Sequence, residues 1–190
     1  MGRNRILIDC DGVLSDFNHS CVNLINDKLG LNHTTDDIKT WDTFKHFGVK
    51  EQEHILDNAI NNENFCKNMP VLPGAKQAVE RLRRDYGDVY VVTAHHKAQM
   101  WVFERTHWLE HHFGITRSHL VYTHAKEVVK GDVLIEDSAK NLTKWTREFD
   151  KGIPILWDRS YNQHSDVSEI PNLTRVSSWN DVFETLDRLL

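Results

Sequence analysis

The sequence has 190 residues, of which 39% are apolar and 27% are charged, and its formal net charge is −5 at pH 7. This length and composition indicate one folded domain with a hydrophobic core and room for a small insertion. The negative charge excludes bulk attraction to nucleic acid or to anionic membranes, so a phosphate-bearing ligand would need a local site.

The first apolar run, residues 6–8, predicts a short buried strand that ends in a tight loop at residues 9–12 (DCDG). This run is too short for a signal peptide or a membrane segment. The three cysteines of the chain form no CxxC pair, and their number is odd: Cys10, Cys21 and Cys66. We therefore expect a cytoplasmic protein with free thiols.

Four apolar residues recur at helical spacing after this loop: Phe17, Cys21, Leu24 and Ile25. Gly30 marks the end of that helix, and a second helix is predicted around residues 51–60. The intervening chain is polar and aromatic and shows no strand alternation. We interpret residues 17–69 as a helical insertion, or cap, and residues 1–16 and 70–190 as an α/β catalytic core.

After Pro70 and the Pro73-Gly74 turn, residues 75–82 predict an amphipathic helix that Gly87 ends. Strands and helices then alternate. Strands are predicted at residues 88–93, 120–123, 133–136 and 153–157, and helices at residues 97–112, 139–149 and 181–190. The alternation predicts a three-layer, Rossmann-like α/β fold with a parallel sheet of about five strands and a small helical cap inserted after the first strand.

Two carboxylates follow the first strand, at Asp9 and Asp11. At this spacing on a loop they can point into one cavity, where they would repel each other unless a cation lay between them. A site whose ligand atoms are all oxygens favours Mg²⁺. Taken alone, the loop is equally well explained as a turn, because Asp and Gly suit turn geometry.

Polar groups also stand at other strand ends. Thr93 ends the second strand, Glu136 and Asp137 end the fourth, and Lys126 lies just ahead of the fourth. In a parallel sheet these ends meet at one edge, where ligands bind near the point at which strand order reverses. A lysine and a threonine hydroxyl can bind a phosphate. These placements together therefore argue against the interpretation of the loop at residues 9–12 as only a turn.

These residues resemble the motifs of the haloacid dehalogenase-like phosphatases. Residues 9–14 (DCDGVL) look like the first motif, and Thr93, Lys126 and the Glu136-Asp137 pair look like the second, third and fourth. The resemblance narrows to the 5′(3′)-deoxyribonucleotidase family. Its marks span nearly the whole chain: residues 9–17 (DCDGVLSDF), 72–75 (LPGA), 108–114 (WLEHHFG), 126–137 (KEVVKGDVLIED), 162–164 (NQH) and 178–179 (SW).

The resemblance implies a Mg²⁺-dependent phosphomonoesterase acting on (deoxy)nucleoside monophosphates. Asp9 would be the nucleophile that forms an aspartyl-phosphate, and Asp11 would protonate the leaving oxygen and then deprotonate water. Mg²⁺ would be held by the Asp9 carboxylate, the Asp11 backbone carbonyl and Asp137. Glu136, where the family usually has aspartate, would support this shell without ligating the metal.

The same resemblance implies a phosphate site and a base pocket. Lys126 and Thr93 would bind the phosphate oxygens, with backbone N–H groups around Gly12 and Ala94. Ala94 stands where the family usually has a serine, so one side-chain donor to phosphate or sugar is missing.

Aromatic residues of the insertion are candidates for contacts with the base. Phe17 matches a position that the family uses near the base, and Trp41 is a looser match. Both could instead belong to the hydrophobic core of the insertion, which is the interpretation that we favour for Phe44 and Phe47.

Other residues fit sites less well. His107 and His111 match a zinc-protease HxxEH pattern, but they fall on a peripheral helix whose Trp108 and Leu109 are needed for the core. Lys130 is expected to be a solvated loop lysine. We interpret His95 and His96 as solvated loop histidines and Cys10 as a small buried residue.

Two other functions stay open. One is a nucleic-acid 3′-phosphatase, or another small-molecule phosphatase, of the same superfamily; the acidic charge disfavours a polymer, and we also expect no membrane partner. The other is a catalytically silent binding protein on this fold, against which the retained motif residues argue. The sequence leaves open the preferred base, the preference for deoxyribose and for 5′ over 3′ phosphate, and whether the chain forms a homodimer.

Overall fold

The computed structural model describes residues 3–62 and 64–190; Met1 and Gly2 of the predicted core and Glu63 of the predicted insertion lie outside the described residues. Among these residues a six-stranded parallel sheet has the order β3-β2-β1-β4-β5-β6. The strands are β1 (Asn4–Ile8), β2 (Gly87–Thr93), β3 (Leu120–Tyr122), β4 (Val133–Glu136), β5 (Ile153–Trp157) and β6 (Thr174–Val176).

The α-helices are α1 (Phe17–Leu29), α2 (Thr43–His46), α3 (His54–Asn62), α4 (Ala75–Arg81), α5 (Trp101–Phe113), α6 (Ala139–Glu148) and α7 (Trp179–Leu189). The described chain therefore has the three-layer α/β fold that the alternation predicts, with a parallel sheet and helices. Within residues 3–62 and 64–190, no helix is long and apolar enough to cross a bilayer.

Strand β1 lies at the centre and pairs in parallel with both β2 and β4. The chain adds β2 and β3 on one side of β1 and β4 to β6 on the other, so the strand order reverses beside β1. At such a reversal the carboxyl ends of two neighbouring strands border a crevice. Asp9 follows β1 and Asp137 follows β4, so the fold places both at this crevice.

Side chains of each strand alternate between two hydrophobic clusters. Ile6 and Ile8 pack into the larger cluster, which contains residues of α1, α4, α5 and α7. Leu7 points to the opposite face, where Leu142 and Trp145 of α6 cover it. Because both faces are covered, central strands such as β1 and β4 contain short continuous apolar runs, which is the reason that their hydrophobicity predicted them.

The strand count and several element boundaries differ from the sequence prediction; the helix predicted around residues 51–60, for example, is α3 at His54–Asn62. The sheet has six strands rather than about five, because β6 is only three residues long and contains the exposed Arg175, so it shows no apolar run. The helix predicted at residues 97–112 begins at Trp101, after a turn in which the Trp101 N–H donates to the Ala98 carbonyl. Helix α7 begins earlier than predicted, at Trp179, because Ser178 and Asp181 form a capping box there.

Residues 17–69, which the sequence predicts to be an insertion, are connected to the sheet through two neighbouring segments, which we call the hinge (residues 14–16 and 70–72). The Asp16 N–H donates to the Pro70 carbonyl and the Leu72 N–H to the Leu14 carbonyl, both at 2.9 Å. Buried insertion residues such as Phe44 belong to the same cluster as the sheet. The insertion is therefore packed on the sheet and tied to it by backbone hydrogen bonds.

Candidate active site

A cavity of about 580 Å³ opens at the carboxyl ends of β1, β2 and β4, between the sheet and the insertion. Nine of the residues predicted to form the site line it: Asp9, Asp11, Gly12, Phe17, Trp41, Thr93, Ala94, Lys126 and Asp137. The tenth, Glu136, lies directly behind this wall and is fully buried. The sequence-predicted residues thus meet in one place, although they come from distant parts of the chain.

Lys126 bridges two buried carboxylates. Its Nζ lies 2.7 Å from Asp9 Oδ1 and 2.6 Å from Glu136 Oε2. Burial alone would lower the pKa of Lys126, but the two carboxylates outweigh it and hold that pKa above its usual value. Burial would likewise raise the pKa of Glu136, yet the Lys126 ammonium holds it below its usual value. Asp9 and Glu136 together therefore favour the charged form of the lysine.

Asp9, Glu136 and Asp137 bring carboxylate oxygens within 4.8 Å of one another. Burial first, and then the neighbouring carboxylates, hold the pKa values of Asp9 and Asp137 well above their usual range. Asp137 Oδ1 is buried without a hydrogen-bond partner. Three buried carboxylates face one lysine, so the cluster lacks positive charge. An oxygen-only donor set with an unpartnered oxygen fits a hard divalent cation.

The Asp11 side chain turns away from this cluster. Its Oδ1 accepts hydrogen bonds from Arg105 Nη1 and from Ser15 Oγ, both at 2.7 Å. Arg105 is fully buried on α5, whereas the Asp11 side chain is 28% exposed toward the cavity. Sequence reasoning missed Arg105. The sequence signal that could have identified it is its helical spacing from Trp101 and Trp108, which places all three on one face of α5.

Gly12 shapes the loop below the cavity. Its φ is +78°, a left-handed conformation, and a Cβ added there would lie 1.9 Å from Asp137 Oδ2. Its N–H donates to the Ser15 carbonyl at 2.9 Å. In this structure Gly12 therefore contributes close backbone packing, and its own N–H is bonded to the Ser15 carbonyl. Thr93 is buried at the cavity wall, with Ala94 beside it.

Three residues of the β5–β6 connection support the site, and sequence reasoning gave them no role. Arg159 donates to the Gly12 carbonyl, with its Nε at 2.7 Å. The Tyr161 hydroxyl donates to Asp137 Oδ2. Asn162 Nδ2 donates to the Asp137 carbonyl at 2.8 Å. The NQH motif at residues 162–164 marked this connection, but its irregular backbone has no periodicity from which these contacts could be inferred.

The two predicted base-contacting aromatics line the same cavity from the insertion side. Phe17 packs edge-on against Phe65 and Trp101, with ring centroids 6.1 and 5.9 Å apart. Trp41 is 59% exposed and meets Tyr161 edge-on at 5.5 Å. Phe44 and Phe47 lie outside the cavity lining: Phe44 is buried in the core, and Phe47 stacks on His33 at 4.0 Å.

The remaining candidates lie elsewhere. His107 bonds the Phe103 carbonyl on α5, and His111 packs against His112. Across the part of the chain that the structure describes, the acidic cluster is the one group of three metal-ligand side chains found. Lys130 lies on a separate surface with Arg5 and Asp132. His95 packs beside His124, and His96 lies next to Asp57. Cys10 is buried, and burial raises the pKa of its thiol to about 12.

Named relatives are similar to nearly the whole of this chain. A protein of Staphylococcus epidermidis provisionally named a 5′(3′)-deoxyribonucleotidase is 30% identical over 183 residues, which cover 96% of this chain and 95% of that protein. A Bacillus subtilis protein named 5′(3′)-deoxyribonucleotidase is 26% identical over 180 residues, 93% of this chain and 95% of its own.

A solved haloacid dehalogenase family hydrolase from Deinococcus radiodurans, with bound phosphate and sodium, has the same fold. It is 16% identical, its TM-score is 0.65, and the match covers 98% of this chain and 96% of that chain. The family model of the 5′ nucleotidase, deoxy (pyrimidine), cytosolic type C protein matches residues 3–189. The chain therefore belongs to this nucleotidase family and, with it, to the haloacid dehalogenase-like phosphoric monoester hydrolases.

Proposed function

We propose that the protein hydrolyses deoxynucleoside monophosphates to nucleoside and phosphate, with Mg²⁺ as the metal and Asp9 as the covalent nucleophile. The observation that carries the proposal is the convergence of Asp9, Asp11 and Lys126 on one cavity beside an electron-rich carboxylate cluster. The relatives named as deoxyribonucleotidases cover nearly the whole chain, which supports the choice of substrate class.

Asp9 attacks phosphorus in the first step. Its Oδ1 accepts from the Cys10 N–H at 2.7 Å and contacts Lys126 Nζ at the same distance. These two donors orient the carboxyl and leave Oδ2 to form the bond to phosphorus. The resulting aspartyl-phosphate divides one difficult displacement into two easier ones.

The site residues offset the charge that develops on the phosphate. Mg²⁺ bound by Asp9, Asp137 and the Asp11 carbonyl would neutralise the nucleophile and the phosphate enough for them to approach. Lys126 and the Thr93 hydroxyl bind the equatorial phosphate oxygens. Glu136 keeps Lys126 protonated, because the two form a buried pair at 2.6 Å.

Asp11 acts as the general acid and then as the general base. A nucleoside oxygen is a poor leaving group, so the proton of Asp11 passes to it as the P–O bond breaks. The Asp11 carboxylate then takes a proton from the water that attacks the aspartyl-phosphate. This transfer regenerates Asp9, releases phosphate and returns Asp11 to its protonated form.

The insertion acts as a cap over the nucleoside. Phe17 and Trp41 border the cavity from the insertion side and are the candidates for contact with the base. Stacking on an aromatic ring contributes about 1–3 kcal/mol per base. The cavity volume of about 580 Å³ lies in the range of small-molecule sites and leaves room for a nucleoside beside the phosphate.

Phosphate release tests the function. We would measure kcat/KM with Mg²⁺ for matched ribo- and deoxyribonucleoside monophosphates, a sugar phosphate and an oligonucleotide with a 3′ phosphate. We expect dUMP or dTMP to exceed the corresponding ribonucleotides and the oligonucleotide to be a poor substrate. Equal rates on nucleotides and sugar phosphates would refute a nucleotidase but leave a phosphatase. No release from any substrate would favour a silent binding protein.

A further inference from the structure

Arg105 is a buried cation whose nearest oxygen partner is the Asp11 carboxylate. The side chain has 0% exposure, and its Nη1 lies 2.7 Å from Asp11 Oδ1. The guanidinium also lies 4.6 Å from the centre of the Trp101 ring. Removing an arginine from water costs several kcal/mol unless a partner compensates for the lost hydration. The ionised Asp11 supplies that compensation, so the pairing favours the carboxylate form of Asp11, which is the form that takes a proton from water in the second half-reaction.

Ser15 closes a ring with these two side chains. Its buried hydroxyl donates to Asp11 Oδ1 at 2.7 Å and accepts from Arg105 Nη1 at 3.0 Å. Two donors therefore hold the same carboxylate oxygen from different residues. Both donors act on Oδ1, and Asp11 lines the cavity, which leaves Oδ2 for contact with the substrate.

The helix that carries Arg105 also holds the end of the insertion. Glu104 Oε2 accepts from the Cys66 N–H at 3.1 Å, and Trp108 Nε1 donates to the Met69 carbonyl at 2.9 Å. Arg105 Nη2 itself contacts Met69 Sδ at 3.6 Å. Arg105 is thus placed by a helix that is anchored on the chain entering the hinge, which makes its position rigid.

We propose that Arg105 is a positioning residue that, together with Ser15, holds the Asp11 carboxyl so that Oδ2 faces the leaving oxygen of the substrate. This inference rests on the proposed function, in which Asp11 is the general acid. Asp11 gives its proton from Oδ2 to the ester oxygen, and the electron pair of the breaking P–O bond stays on that oxygen. Arg105 neither gives nor takes a proton.

The proposal predicts a dependence on the leaving group. A misplaced acid slows departure of a nucleoside oxygen, which needs a proton, but not of an activated aryl oxygen, which leaves without one. Values of kcat/KM report the steps up to this departure, so they isolate the acid role from the later attack of water.

The experiment compares Arg105→Met and Ser15→Ala with wild type on a deoxynucleoside monophosphate and on an activated aryl phosphate. Met keeps an unbranched apolar stem at the buried position but is shorter than Arg and removes its donors. We expect Arg105→Met to lower kcat/KM about 10- to 100-fold on the nucleotide and about threefold or less on the aryl phosphate, because a small misplacement of a reacting group has effects of this size. Ser15→Ala should act in the same direction with a smaller factor.

Glu104→Gln is the matched control, because Glu104 neighbours Arg105 on α5 and bonds the chain near the hinge but does not touch Asp11. It should change the melting temperature without changing the ratio of the two kcat/KM values. A melting curve for each variant separates folding from catalysis. If Arg105→Met does not fold, the ratio measured for Ser15→Ala decides the question alone.

Asp11→Asn separates the two ways in which the account can fail. If Asp11→Asn lowers kcat/KM by the same factor on both substrates, Asp11 is not the acid and the proposed mechanism fails. The other outcome is that Asp11→Asn lowers kcat/KM on the nucleotide alone, while Arg105→Met and Ser15→Ala lower kcat/KM on both substrates by the same factor. In that case the mechanism stands and the positioning role is overturned.

Discussion

Single residues set the charge balance of the site. One lysine, Lys126, faces three buried carboxylates, and the directions of their pKa shifts show how its charge is shared. The pKa of Glu136 is lowered by the lysine, whereas those of Asp9 and Asp137 remain raised by burial and by their neighbours. The two residues that are proposed to hold the metal are therefore the ones whose ionised forms lack a sufficient compensating cation.

Replacing Asp9 tests the nucleophile. Asp9→Asn should reduce phosphate release below detection while leaving the fold intact, because an amide is neither a useful nucleophile nor a good Mg²⁺ ligand. Phosphate release and circular dichroism give the two readouts. Asp36→Asn, at an exposed carboxylate of the insertion, should keep full activity. Substantial turnover by well-folded Asp9→Asn would remove Asp9 from this role.

Two glycines with left-handed backbone make a matched pair. A Cβ at Gly12 would lie 1.9 Å from Asp137 Oδ2, whereas a Cβ at Gly30 would meet nothing within 4 Å. Both alanine variants should lose about 1–2 kcal/mol of folding free energy from backbone strain. Only Gly12→Ala should also displace Asp137, with a loss of about 100-fold in kcat/KM. Equal activities of the two folded variants would mean that the close packing at Gly12 does not matter for catalysis.

At the scale of elements, the two aromatics on the insertion have different surroundings. Phe17, at the start of α1, packs against Phe65 and Trp101, so its removal also disturbs the core. Trp41 is largely exposed and touches Tyr161, so its removal costs little packing. Trp41 therefore gives the cleaner test of a base pocket, although Phe17 is the closer match to the family pattern.

Alanine at either aromatic tests that pocket. Loss of about 1–3 kcal/mol of stacking should lower kcat/KM for the best nucleotide by roughly five- to 150-fold. A small aryl phosphate, which does not reach the base side of the cavity, should be nearly unaffected. Phe47→Ala, outside the cavity lining, is the control and should leave the ratio of the two substrates unchanged. If each variant loses kcat/KM by the same factor on both substrates, Phe17 and Trp41 are packing residues.

What the sequence revealed also depended on the element involved. Asp9, Thr93 and Asp137 could be placed together because the ends of apolar parallel strands meet at one edge. Arg105 could not, because an arginine on an amphipathic helix is usually solvated, and its burial depends on how α5 packs beside the hinge. Tyr161 lies in an irregular connection, where no periodicity predicts a contact with Asp137.

At the scale of the whole molecule, the carboxylate cluster should make stability depend on metal. At a Mg²⁺ concentration about 100 times its Kd, binding to the folded state alone adds about 2.7 kcal/mol. For a chain of this length that corresponds to a rise of about 5–10 °C in Tm. Asp137→Asn should remove most of the rise, while Asp36→Asn should keep it. Identical melting curves of wild type with Mg²⁺ and with chelator would argue against a metal at this cluster.

The central claim is that Asp9 becomes phosphorylated and that Asp11 serves both half-reactions. Asp11→Asn with an activated aryl phosphate isolates the intermediate. The aryl oxygen leaves without an acid, whereas attack of water on the aspartyl-phosphate lacks its base. Phosphorylated enzyme should therefore accumulate in this variant.

The decisive measurement is an acid quench of Asp11→Asn mixed with phosphorus-labelled aryl phosphate and Mg²⁺, followed by digestion and mapping of the label. We predict close to one label per active site, released by hydroxylamine as an acyl phosphate is, on the peptide that contains Asp9. The double variant Asp9→Asn, Asp11→Asn should carry none. Label on another residue, or aryl product formed in excess of enzyme with no labelled protein, would contradict the account.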